Sequence, residues 1–80
     1  MNGLRVYVSP TGTGTPSDDS VFYSRREHGP YYRWRYEEEF GRWLGSRVHP
    51  SDLTLKALCI ANWKAVPTAL RSRLGEHYLE

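Results

Sequence analysis

Arginine alternates with aromatic residues in the middle of the chain, in the order Tyr32-Arg33-Trp34-Arg35-Tyr36. Both residue types do recognition chemistry. A guanidinium contacts phosphate or carboxylate through two parallel hydrogen bonds, and an aromatic ring stacks on a nucleobase or anchors a protein interface. Nine of the eleven cationic residues are arginine, but nine acidic residues nearly balance them, leaving a net charge of +2. That balance excludes a polycationic tail. The arginine bias points instead to discrete contacts, and the candidate binding residues are Arg25, Arg26, Arg33, Arg35, Arg42 and Trp43. Were Arg25, Arg26, Arg33 and Arg35 to share one side of a hairpin and each neutralise a phosphate, log K for duplex DNA would fall with log salt at a slope of about −3.6.

The spacing of the same segment says which of its groups meet solvent. In an extended strand, residues two apart share a face, so Tyr32, Trp34 and Tyr36 point one way and Arg33 and Arg35 the other. This is the pattern of a half-buried strand, with the rings inward. A base-stacking surface needs rings and cations together on one exposed face, which these three rings would not provide. Six of the eleven aromatic residues lie between Tyr31 and Trp43, so the core is expected to form around this stretch.

Other constellations read as structure. Gly12-Thr13-Gly14-Thr15-Pro16 lacks the Lys-Ser/Thr ending of a phosphate loop, and Pro16 removes a backbone donor. Glu37, Glu38 and Glu39 are explained as solvated partners of neighbouring arginines. His28, His49 and His77 have no second ligand at metal-binding spacing, and Cys59 is alone, so neither a metal nor another cofactor is implied. Cys59 lies in Ala57-Leu58-Cys59-Ile60-Ala61 and reads as a small buried hydrophobe. A ligand cavity of about 300–1,000 Å³ is hard to enclose in a chain this short, so the expectation is a non-enzymatic protein. Neither a signal-type apolar segment nor an eighteen-residue apolar run occurs, which predicts no membrane span and a cytoplasmic location. Leu79-Glu80 resembles a tag junction and carries no weight.

The elements that must position these groups follow from pattern and punctuation. Eighty residues suit a single small domain. Leu4-Arg5-Val6-Tyr7-Val8 predicts a first strand with Leu4, Val6 and Val8 inward. Residues 9–20 are mostly Ser, Thr, Gly, Pro and Asp, the composition of a flexible loop. Residues 21–26 and 31–37 predict a hairpin turning through Glu27-His28-Gly29-Pro30, with Gly29 supplying positive φ. Beyond Tyr36 two readings compete. Glu38-Glu39-Phe40-Gly41 can close a second hairpin onto a strand at 42–48, or Tyr36, Phe40, Trp43 and Leu44 can form a helical stripe ended by Gly45. The meander is favoured, because the segment already runs as strand up to Tyr36.

Ser51 or Asp52 can cap a helix over 52–63. Val66, Leu70, Leu74 and Tyr78 recur every fourth residue, which predicts an amphipathic helix over 67–78 with Pro67 in its first turn. Two such helices also admit a helix-turn-helix reading, with Thr68, Arg71, Ser72 and Gly75 outward. The fold class expected is α+β: a small antiparallel meander packed against two C-terminal helices. The function expected is a binding module for another protein, or for a second copy of itself, through arginine and aromatic side chains. The alternative is RNA or DNA binding through an arginine-rich hairpin face.

Overall fold

The computed structural model describes residues 3–9 and 21–78. The expected loop at 9–20 lies outside them apart from Ser9, as do the glycine motif at 12–16 and Leu79-Glu80. The described chain is α+β. Strands β1 (Leu4–Val8), β2 (Phe22–Arg26), β3 (Tyr31–Glu37) and β4 (Arg42–Val48) are followed by helix α1 (Asp52–Ala57), a short strand β5 (Cys59–Ile60), a 3-10 turn at Trp63–Ala65 and helix α2 (Thr68–His77). The sheet order is β4-β3-β2-β1-β5, antiparallel at every pairing. No helix among the described residues is long and apolar enough to cross a membrane.

The fourth strand forms as the meander reading requires. Its turn brings Phe40 N–H to the Glu37 carbonyl at 3.1 Å and Gly41 N–H to the Glu38 carbonyl at 3.2 Å. Gly41 has φ +61°, a left-handed conformation that favours a residue without Cβ. In the preceding hairpin the positive φ falls on His28, at 64°, and not on the expected Gly29. The Gly29 N–H instead closes the turn onto the Arg26 carbonyl at 2.8 Å.

Directly opposed residues of an antiparallel pair share a face, so the register sorts every strand side chain. Val6 opposes Ser24, Phe22 opposes Trp34, and Trp34 opposes Gly45, which puts these on one side with Leu4, Val8, Arg26, Tyr32, Tyr36, Trp43 and Arg47. Helix α2 covers that side. Val66, Leu70 and Leu74 are buried against Val6, Phe22, Trp34 and Trp43, as the four-residue spacing predicts. The alternation reading holds for Tyr32, Trp34 and Tyr36, which lie on the covered face. Trp34 is 2% exposed, whereas Tyr36 is 36% exposed and leans on Trp43 with ring centroids 5.7 Å apart.

Trp34 is fixed from two directions. A Cβ built on Gly45 would stand 2.7 Å from its six-membered ring, so the indole fits only because residue 45 has no side chain. Its Nε1–H donates to Ser24 Oγ at 2.8 Å, and Ser24 Oγ is in turn 2.7 Å from Tyr78 Oη. Ser24, buried on β2, therefore links β3 to the end of α2. Arg26 adds a second tie, donating to the Tyr78 carbonyl and lying over the Tyr78 ring at 5.3 Å. Arg73 Nε donates to the Trp43 carbonyl at 3.2 Å, fastening α2 to β4.

The region between β4 and α2 departs from expectation. Ser51 caps α1, accepting from Thr54 N–H at 3.2 Å, but the helix stops at Ala57 where a run to residue 63 was expected. Leu58 turns extended, and Cys59 and Ile60 pair with Val8 and Tyr7 at the sheet edge. Cys59 is thus exposed on an outermost strand and does not enter the core. The same strand separates α1 from α2 by more than the 3–4-residue turn of a helix-turn-helix, which removes that reading.

His77 sits at the end of α2 with its ring 4.4 Å from Tyr32, 5.3 Å from Trp34 and 4.7 Å from Tyr78. Desolvation against these rings, and secondarily the Arg73 charge, push its pKa below the ordinary 6.5. The unfolded chain then binds the proton more readily than the folded one, so this contribution to stability is present above the unfolded value and is lost as pH falls through it. We expect the melting temperature to drop between about pH 7.5 and 5.5, and His77→Gln to flatten that decline. Ser24→Ala, which strands a buried indole N–H, should cost about 1–3 kcal/mol in urea unfolding. Gly45→Ala, which drives a methyl group into the Trp34 ring, should cost about 1–3 kcal/mol.

Candidate binding face

The sheet face away from α2 carries Arg5 and Tyr7 from β1, Tyr23 and Arg25 from β2, Tyr31, Arg33, Arg35 and Glu37 from β3, Arg42, Leu44, Ser46 and Val48 from β4, and Ile60 from β5. None of them is buried. Every buried strand residue, namely Val6, Phe22, Ser24, Trp34 and Trp43, lies on the other side. The strand residues of the open face therefore combine five arginines and three tyrosines with one carboxylate, Glu37.

Alternation in three neighbouring strands produces this arrangement. Arg5 and Tyr7 face outward because Leu4, Val6 and Val8 face inward. Tyr23 and Arg25 face outward because Phe22 and Ser24 are buried. Across the sheet, Tyr7 opposes Tyr23 and Tyr23 opposes Arg33, while Arg5 opposes Arg25. Tyr7 and Tyr31 approach to 6.3 Å between ring centroids. The Arg25 guanidinium lies 4.8 Å from the Tyr31 centroid, with Nη1 donating to Tyr31 Oη at 3.2 Å and Nε donating to the Arg26 carbonyl at 3.3 Å. Tyrosine and backbone thus hold Arg25 in place without neutralising it.

The charges on this face are unevenly compensated. Arg35 lies 3.8 Å from Glu37, and Glu37 also opposes Arg42 in the register. Arg5 and Arg25, by contrast, are like charges directly opposed, an unfavourable cross-strand pairing, and Glu27, two residues beyond Arg25, has its carboxylate 3.8 Å from His28.

The sequence-derived site residues divide between the two faces. Arg25, Arg33, Arg35 and Arg42 come together on the open side. Arg26, grouped with them by sequence, points to the other side, because neighbouring residues of a strand alternate, and there it binds Tyr78. Trp43 is 1% exposed and belongs to the core, so it presents no contact surface. Arg5, Tyr7, Tyr23 and Tyr31 escaped the sequence reading. The signal is alternation carried to its complement: inward Leu4, Val6 and Val8 find Arg5 and Tyr7, inward Phe22 finds Tyr23, and inward Tyr32 finds Tyr31. Among the described residues no three His, Cys, Asp or Glu side chains converge as a metal site.

No family model, curated protein or solved structure matches this chain.

If Arg5 and Arg25 repel one another, removing one charge stabilises the ligand-free fold. Arg5→Thr is expected to gain about 0.2–1 kcal/mol in urea unfolding at low salt. The gain should shrink at about 1 M salt, where the screening length is about 3 Å. Arg35→Thr, which removes a charge paired with Glu37, should give no such gain.

Proposed function

We propose that this protein binds single-stranded nucleic acid on the open sheet face. One observation carries the reading: rings and guanidinium groups stand together on the side of the sheet that no described element covers. Bases stack on aromatic side chains, while cations follow the phosphate backbone. Tyr7, Tyr23 and Tyr31 lie on three adjacent strands, and Arg5, Arg25, Arg33 and Arg35 surround them. A sheet offers such a surface to unpaired bases, whose faces are accessible, more readily than to a duplex whose bases are stacked on one another.

The second reading is attachment to another protein, favoured by Leu53 on α1. It is 80% exposed on a helix with no buried residue, so α1 has an apolar side chain available to a partner. That reading predicts association with little dependence on salt.

The two separate in one titration of a labelled oligonucleotide of about twelve nucleotides followed by anisotropy. Four phosphate contacts predict that log K falls with log salt at a slope of about −2.8, and Arg33→Ala should reduce its magnitude by about 0.7. Tyr31→Ala should weaken binding by about 5- to 100-fold while leaving the slope unchanged. Absence of oligonucleotide binding, or a flat salt response, would contradict the proposal.

A further inference from the structure

A cavity of about 470 Å³ opens at the edge of β1, lined by Leu4, Arg5, Val6, Ile60, Ala61 and Trp63. It arises because β5 is only two residues long. Cys59 and Ile60 pair with Val8 and Tyr7, Ala61 N–H donates to the Val6 carbonyl at 2.9 Å, and the chain then leaves the sheet. Asn62 stabilises the departure, its Oδ1 accepting from Lys64 N–H at 3.0 Å, and the following 3-10 turn presents Trp63 beside the Leu4 end of β1.

The register connects this cavity to the platform. Leu4 and Val6 belong to the covered face, whereas Arg5 and Ile60 belong to the open face, so the cavity is lined by residues of both faces at the strand edge. Of its lining residues Arg5 is the one charged residue, and Leu4, Val6, Ile60, Ala61 and Trp63 carry apolar side chains. Trp63 is 39% exposed, against 2% for Trp34 and 1% for Trp43, so of the three indoles it alone has surface to offer.

We propose that this cavity seats the nucleobase of one nucleotide of the bound strand, stacked on Trp63, with the adjoining phosphate on Arg5. The inference rests on the nucleic-acid reading above and assigns that site its end pocket. A base has apolar faces and lies one sugar away from an anion, matching a lining of mostly apolar side chains that includes one arginine. A hydrocarbon ligand would leave the Arg5 charge unused, and a wholly polar ligand would gain nothing from Leu4, Val6 and Ile60. The volume lies within the range of about 300–1,000 Å³ typical of small-ligand sites. A phosphate at Arg5 also adds negative charge next to the opposed Arg25, where the face is most strained by like charge.

The test uses the full chain with three probes: adenosine 5′-monophosphate, ribose 5-phosphate and the labelled oligonucleotide. Because Trp34 and Trp43 are buried, quenching of tryptophan emission reports on Trp63. We expect quenching by the nucleotide and none by the sugar phosphate. Trp63→Ala should weaken oligonucleotide binding by about 5- to 100-fold with the salt slope unchanged, and Trp63→Phe should restore most of the loss. Ile60→Glu, at a position 83% exposed and so tolerant of substitution, should abolish quenching by placing a carboxylate at the cavity mouth. If Trp63→Ala and Ile60→Glu both bind the oligonucleotide like the parent while Tyr31→Ala weakens it, the pocket is overturned and the platform stands. Failure of the parent chain to bind any oligonucleotide overturns both.

Discussion

The indole of Trp34 resting on Gly45 is the contact on which the remaining architecture depends. It requires β3 and β4 to meet in one register, because a shift of one residue would place Leu44 or Ser46 where the ring must lie. The same indole donates to Ser24 on β2, and Ser24 reaches Tyr78 at the end of α2. One side chain thus couples three strands to the helix. In a chain of this size, which buries only about 60–65% of its unfolded surface, such shared contacts replace the redundancy of a larger core.

Helix α2 covers only one side of the sheet. The covered side receives Phe22, Trp34, Trp43 and the leucines of α2. The other side keeps its outward residues in water, and solvent does not oblige them to be arginine and tyrosine. Serine, threonine and lysine would serve solubility without setting Arg5 against Arg25. A residue choice that opposes stability is understandable where a surface is shaped for a ligand, and here the disfavoured pairing lies among the tyrosines.

Much of the fold was legible in the sequence. Alternation placed Trp34 inward, and the spacing from Val66 to Tyr78 located α2, because both signals are local and depend on backbone periodicity alone. The role of Gly45 was not legible, since it arises from a residue on another strand. Nor was β5: Cys59 and Ile60 become a strand by pairing with β1, some fifty residues earlier, and a helical reading of Leu53–Trp63 satisfies every local rule. The candidate site was half visible. Arg25, Arg33, Arg35 and Arg42 were identified, but Arg26 was grouped with them although adjacent strand residues face opposite ways. Tyr7 and Tyr23 lie outside the densest aromatic stretch, and they share a face with Tyr31 only through the pairing of three separate strands.

The account turns on which face of the sheet works. The most direct measurement is NMR of the side chains during titration with a short single-stranded oligonucleotide, following arginine Nε–Hε and tyrosine ring signals. The account predicts that Arg5, Arg25, Arg33, Tyr7, Tyr23 and Tyr31 move, while Arg26, Arg71 and Arg73 hold still. Movement confined to the arginines of α2 and the covered face would contradict it.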